Sequence, residues 1–247
     1  GIRDSSTSRG RGDVYKRQSL GIQVAALYLS MLFFAPVSRD KKNIFKYGLI
    51  VSNSSFIGIP VVGELYGNLG VLYTSFFQIP IRIMMWTAGL SLFTNVDKKE
   101  SFQKLIKHPC IIAIVIGAFL MIASVPLPSF LGDTIAGLSK CTTPLSMITV
   151  GAMFANSKWS DFLDPSILYY CLIRLIVFPA IVFGAVRLLG IDLVLGNVAV
   201  LLSAMPMAAT TAILADKYNY SGETASRSIF VSTLLSIVTL PVICLML

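Results

Sequence analysis

The sequence predicts an all-α integral membrane protein of eight helices, two of them interrupted in mid-membrane. Composition, block length and the placement of charge carry that prediction. Of the 247 residues, 55% are hydrophobic and 13% charged, whereas a soluble domain is about 45–50% apolar and about 25% charged. The apolar residues arrive in runs long enough for a helix to cross the bilayer, which takes roughly 20 of them for about 30 Å of hydrocarbon. The basic residues behind the net charge of +8 sit mostly in short loops between those runs, the pattern of cytoplasmic loops in membrane proteins. Nucleic acid is set aside as a partner, since no basic face is paired with an aromatic platform.

Residues 1–18, GIRDSSTSRGRGDVYKRQ, are polar and basic and stop abruptly at Ser19-Leu20. They have neither the apolar core nor the small-residue cleavage site of a signal peptide, and the expectation is an artefactual or disordered tail. From there, apolar runs and their polar interruptions predict spans at 19–37, 45–66, 70–94, 109–127, 139–157, 166–189, 193–215 and 224–246. The loops on one side hold eleven basic residues: Arg39, Lys41, Lys42, Lys46, Lys98, Lys99, Lys104, Lys107, Lys158, Lys217 and Arg227. Those on the other side hold two, Lys140 and Arg187. The richer side is expected to be cytoplasmic, which puts the C-terminus outside.

Cys110, Cys141, Cys171 and Cys244 are scattered singly, and the sole histidine, His108, has no neighbouring ligand pair. Neither a metal site nor a cofactor is expected. The spans also contain no paired His, no G-x-S-x-G and no acidic pair, so no enzyme is expected.

Two spans break the rules of an apolar helix. Asn53-Ser-Ser-Phe-Ile-Gly58-Ile-Pro60 lies inside 45–66, and Ser203-Ala-Met-Pro206-Met-Ala-Ala-Thr210-Thr211 lies inside 193–215. A proline lacks an N–H and opposes the carbonyl four residues back, which would free the carbonyls of Phe56 and Leu202. Simple kinks are one outcome. The other is a pair of broken helices at matching depths in spans of opposite direction, the relation an inverted repeat gives and a sequence pointer to a transporter's binding site. Each second half-helix would then start near the bilayer centre with open N–H groups and a positive dipole end, a setting that favours a carboxylate. Asn53, Ser54, Ser55, Thr210 and Thr211 are suitable donors.

Arg82 and Arg174 lie within spans, where an ionised side chain is expensive and usually faces the interior or a water-filled path. For Arg174, snorkelling and a place in the permeation path are both open. Glu64 and Asp216, near opposite ends of the broken helices, are candidates for proton coupling. Pro144 suits a first helical turn capped by Thr142 or Thr143, with Ser146 and Thr149 placed to line a cavity.

Several short motifs in order resemble the auxin efflux carrier family of permeases. They are Asn53 to Pro60 with Leu65-Tyr66-Gly67; Trp86-Thr87-Ala88-Gly89; Thr143-Pro144-Leu145-Ser146-Met147 with Gly151-Ala152; Arg174-Leu175-Ile176 with Pro179; and Ser232-Thr233-Leu234-Leu235-Ser236 with Pro241. The resemblance covers residues 19–247 and implies the inverted-repeat fold of sodium/proton antiporters and bile acid symporters. In that fold ten helices form two repeats whose fourth and ninth members are broken and cross. It makes 19–94 the end of the first repeat (helices three to five), 95–108 a cytoplasmic linker and 109–247 the second repeat, with the first two helices absent. It further implies a permease for malate or other carboxylates in a bacterial cytoplasmic membrane, with a small organic anion, the lipid bilayer and a second copy of the chain as partners. A cation- or proton-coupled carrier of related fold is the alternative. Asn53, Ser54, Gly58, Ile59, Pro60, Met205, Pro206, Met207 and Thr210, with Thr143 and Ser146, are the expected substrate-binding residues, and Glu64, Arg174 and Asp216 the expected coupling or pathway residues.

Overall fold

The computed structural model of the protein describes residues 5–93, 127–141 and 164–247, with positions 112, 113, 116, 117, 119, 120, 144, 145 and 148 in between; for residues 5–18 it describes the backbone. Most of the spans expected at 109–127 and 139–157 therefore lie outside the described residues. Within them the chain is helical: α1 (Ser5–Phe33), α2 (Arg39–Ile50), α3 (Ile59–Met84), α4 (Ser129–Lys140), α5 (Pro165–Leu172), α6 (Phe178–Leu188), α7 (Leu193–Ser203), α8 (Thr210–Lys217) and α9 (Gly222–Met246). The helix of α1 begins at Ser5 and takes in much of the stretch expected as a tail. That stretch contains no proline, and its Gly10 and Gly12 weaken a helix without ending it. α4 falls between the expected spans 109–127 and 139–157, in a stretch expected as a loop.

Among the described residues, three continuous stretches are long and apolar enough to cross a membrane: Ser54–Leu92, Pro165–Leu188 and Gly222–Met246. The first is two rods, because Gly67 takes φ 58° and ψ −151° and reverses the chain. Only glycine occupies that region without strain. The expected boundary between the spans 45–66 and 70–94 falls at this residue.

Proline shapes the remaining helices through local widening. A π-helical turn at Ser54–Gly58 leads into Pro60, and another at Ile173–Val177 leads into Pro179. In each case the proline occupies the first turn of the following α-helix, where its missing N–H has no partner to lose. The extra residue in the π turn absorbs the clash with the preceding carbonyls, and such turns frequently occur at functional sites.

The core forms where α1, α2 and α5 meet. Phe34, Phe45 and Tyr170 are fully buried, with ring centroids 5.1–5.8 Å apart, a spacing at which aromatic pairs add to their area burial. At the start of α2, Lys41 pairs with Asp164, which caps α5 by accepting from the Ser166 N–H at 2.9 Å. At the other side of α2, Asn43 Nδ2 donates to Leu92 O and Tyr220 Oη. These bonds hold α2 against the ends of two other helices.

Candidate functional site

Both polar, proline-bearing spans are interrupted, and the interruptions meet. α2 ends at Ile50, the chain is extended at Val51 (φ −113°, ψ 103°), and helix resumes at Ser54 with Asn53 as N-cap. α7 ends at Ser203 and helix resumes with α8 at Thr210. Between the two gaps, Ser52 and Met207 form an antiparallel bridge. The Asn53 N–H donates to Pro206 O at 2.8 Å and the Ala208 N–H to Val51 O at 3.4 Å. α9 supports the crossing from below, with Ser232 Oγ accepting from the Met207 N–H at 3.3 Å. In a bilayer each backbone group must find a partner inside the protein, and these bonds explain how two unwound segments persist there.

The first gap is not where its proline predicts. The sequence reading breaks the helix at Pro60, freeing Phe56 O, yet the chain leaves the helix at Val51–Asn53 and Pro60 lies beyond, within the first turn of α3. Ser52 and Asn53 decide this, since short polar side chains near a helix end offer the backbone alternative hydrogen bonds. Asn53 Oδ1 accepts from the Phe56 N–H at 3.3 Å, and Asn53 O accepts from both Ile57 and Gly58. In the second gap Pro206 sits inside the break, as expected. Gly58 lets the helices approach: a Cβ there would lie 2.8 Å from Leu202 Cδ2.

On one side of the crossing lies Arg174, carried by the π turn before Pro179 and 1% exposed. Its Nε donates to Met205 O at 2.8 Å and its Nη1 to Leu49 O at 3.0 Å. Leu49 O belongs to the C-terminal turn of α2, and Met205 O lies two residues beyond the end of α7, so both face the negative ends of the two helix dipoles. One guanidinium thus satisfies and neutralises both broken ends. Snorkelling is excluded by this burial, and Arg174 positions the crossing from outside the cavity described next.

On the other side, the first turns of the resumed helices border a cavity of about 70 Å³ lined by residues that include Asn53, Ser55, Gln78, Arg82, Ala209 and Thr210. Arg82 Nη2 donates to Ser55 Oγ at 2.9 Å, and Ser55 Oγ donates to Gln78 Oε1 at 3.1 Å. Among the described residues, no carboxylate lines this cavity. A second cavity of about 280 Å³ between α6, α7 and α9 is lined by apolar side chains and Thr239, and lies apart from the crossing.

The structure divides the residues predicted for the site. Asn53 and Thr210 line the cavity. Ser54, Gly58, Met205, Pro206 and Met207 are buried in the crossing itself, while Ile59 and Pro60 are half-buried in the first turn of α3. Glu64 and Asp216 are exposed and line neither cavity. Thr142, Thr143, Ser146 and Thr149 lie outside the described residues. Gln78 is the residue that the sequence reading misses, and Arg82 the one it leaves without a site. The signal was present: Thr74, Gln78 and Arg82 recur every four residues in an apolar stretch, and such a spacing puts them on one helix face.

A family model described as "Membrane transport protein" matches residues 19–104 and 98–244. The chain belongs to this family of membrane transport proteins. It is the auxin efflux carrier-like family whose motifs the sequence carries, and with its long apolar helices the chain is an integral membrane protein. An uncharacterized transporter of Methanothermobacter thermautotrophicus is 29% identical over 79% of this chain and 66% of its own length. One from Methanocaldococcus jannaschii is 26% identical over 81% and 70%. The transporter YfdV of Escherichia coli, also uncharacterized, is 24% identical over 75% and 62%. The chain thus spans about two thirds of the length of these relatives.

Proposed function

We propose that this protein is a secondary transporter that moves small organic anions, malate or other carboxylates, across a cytoplasmic membrane by alternating access. The observation that carries the reading is the convergence of two resumed helices, at Asn53–Phe56 and Ala208–Thr210, on one cavity with Arg82 in its wall. A helix N-terminus presents N–H groups that no intrahelical carbonyl reaches, together with a positive dipole end. Two of them beside a guanidinium make an environment suited to an anion and hostile to a cation. Among the described residues no carboxylate lines the cavity, which supports an anion carrier over the alternative, a cation- or proton-coupled antiporter or symporter built on an acidic residue at the crossing.

On this reading the two broken helices are the matching elements of an inverted repeat, and the C-terminus lies outside. Opposite chain directions and the excess of basic loop residues on one side support that arrangement.

Flux into proteoliposomes carrying the full-length protein tests the proposal, with labelled malate, other dicarboxylates and monocarboxylates offered in turn. Carboxylate uptake is the expected result, with a loss of about tenfold or more in Asn53→Ala at equal protein level, a size in keeping with a hydrogen bond to a charged group. No flux of any carboxylate would refute it.

A further inference from the structure

The larger cavity, between α6, α7 and α9, takes no part in the crossing, and its walls restrict what it can hold. Among the described residues lining its volume of about 280 Å³, only Thr239 has a polar side chain. A buried water needs two to four polar partners, so water is not the filling. An empty space of this size would forfeit the dispersion contacts of its walls. Ile176, Val238 and Val242 line it and are exposed, and no charged residue occurs in 175–186 or 228–247. In an integral membrane protein such a rim opens on lipid.

Shape narrows the filling to one hydrocarbon chain. The α9 wall runs from Thr239 to Met246, a length of about 10.5 Å at the helical rise per residue. A volume of about 280 Å³ over that length leaves a cross-section of about 27 Å², roughly a third of that of a helix about 10 Å across. A helix does not enter a groove this narrow, whereas an acyl chain does.

Charge selects the headgroup. Arg187, in the last turn of α6, is exposed, and its guanidinium lies 5.0 Å from the centre of the Phe183 ring, which lines the groove. Beside it Val186 packs against Gly196 so closely that no Cβ would fit there, and Asn197 Nδ2 donates to Leu247 O at 3.2 Å. Arg187 and the end of α9 therefore lie at the same end of the bundle. This is the side poor in basic residues, where retention of positive loops in the cytoplasm does not account for a cation. Among the described residues no carboxylate forms a salt bridge with Arg187, and a lipid phosphate is an acceptor that its fork fits.

We propose that this groove binds one anionic phospholipid, with an acyl chain along α9 and the phosphate on Arg187, and that the lipid braces the crossing. Leu175 and Ile176 of its wall belong to the π turn that carries Arg174, and Val200 to the last turn of α7. The chain thus backs the elements that the buried arginine ties together, whatever solute the crossing carries.

Native mass spectrometry and thermal melting of the detergent-solubilised full-length protein test this, with phosphatidylglycerol and phosphatidylcholine of identical acyl chains as probes. Wild type is expected to hold one phosphatidylglycerol about tenfold more tightly than phosphatidylcholine, a size in keeping with a bond to a charged group. It should also melt higher with that lipid, since a ligand of the folded state stabilises it. Arg187→Gln should lower the phosphatidylglycerol affinity by about tenfold and leave the two lipids alike. Val242→Trp places a ring where the acyl chain runs, and should weaken both lipids without lowering the melting temperature of the lipid-free protein. No preference for phosphatidylglycerol in wild type, or a preference that Arg187→Gln leaves intact, overturns the proposal. So does a Val242→Trp protein that melts lower and binds lipid as before, the result of overpacking if side chains of this chain or of a second copy fill the groove. Where Val242→Trp does not fold, Arg187→Gln decides.

Discussion

At the scale of single residues, Arg174 shows how a broken helix is made tolerable in a membrane. The two carbonyls it holds, Leu49 O at the end of α2 and Met205 O just past the end of α7, would otherwise be left without this donor in an apolar interior, at about 1–3 kcal/mol each. Arg174→Met should therefore lower the thermal stability of the detergent-solubilised protein by several degrees, with Arg174→Lys falling between, because an ammonium lacks the planar fork that serves two acceptors. An unshifted transition in Arg174→Met would show that the carbonyls find other partners. Asp164 makes a second residue-scale prediction. Burial alone would raise its carboxyl, but hydrogen bonds from Lys41 and Ser166 and the Lys41 charge outweigh it and hold the group down at about 2. A carboxyl lowered by folding stabilises the folded state above its ordinary range, near pH 4, and that contribution fades as the pH falls toward 2. Asp164→Ala should thus melt below wild type at pH 7, by an amount typical of a lost N-cap, about 1 kcal/mol. The difference between the two proteins should shrink between pH 4 and pH 2.

At the scale of elements, helix boundaries follow from backbone chemistry more than from hydropathy. Gly67 divides one apolar stretch of 39 residues into two rods, and nothing lies within 4 Å of a Cβ added there. The cost of Gly67→Ala is consequently conformational alone, about 1–3 kcal/mol, and should appear as a lower melting temperature with no change in substrate preference. An equal melting temperature would mean that the turn adopts another geometry. The location of the turn was legible in the sequence, as was the gap at Pro206. The gap before Pro60 was misplaced because a proline marks where a helix cannot continue unmodified, and a π turn is one modification that lets it start just ahead. Ser52 and Asn53 set the true break through bonds to a partner segment more than 150 positions away, a pairing no local pattern encodes.

At the scale of the whole molecule, the sequence displayed the membrane character, the two interrupted helices and the family motifs, and it named Asn53 and Thr210, which line the cavity. It did not separate residues that build the crossing from residues that face the cavity. Met205, Pro206 and Met207 share one segment with Ala208 and Ala209, yet only the last two line it. That distinction depends on which side of the crossing each residue takes, and the side is fixed by Arg174 binding the carbonyl ends and leaving the amide ends opposite. The electrical asymmetry of the crossing is thus the central claim: negative ends closed by a buried arginine, positive ends open to a cavity. Alkylation of a single cysteine at Ala209, with other cysteines removed, probes the open side directly in membranes carrying the full-length protein. Succinate is predicted to slow the reaction in a saturable manner while its uncharged diamide leaves the rate unaltered; equal rates with and without the acid, in a protein that still transports it, would contradict the account.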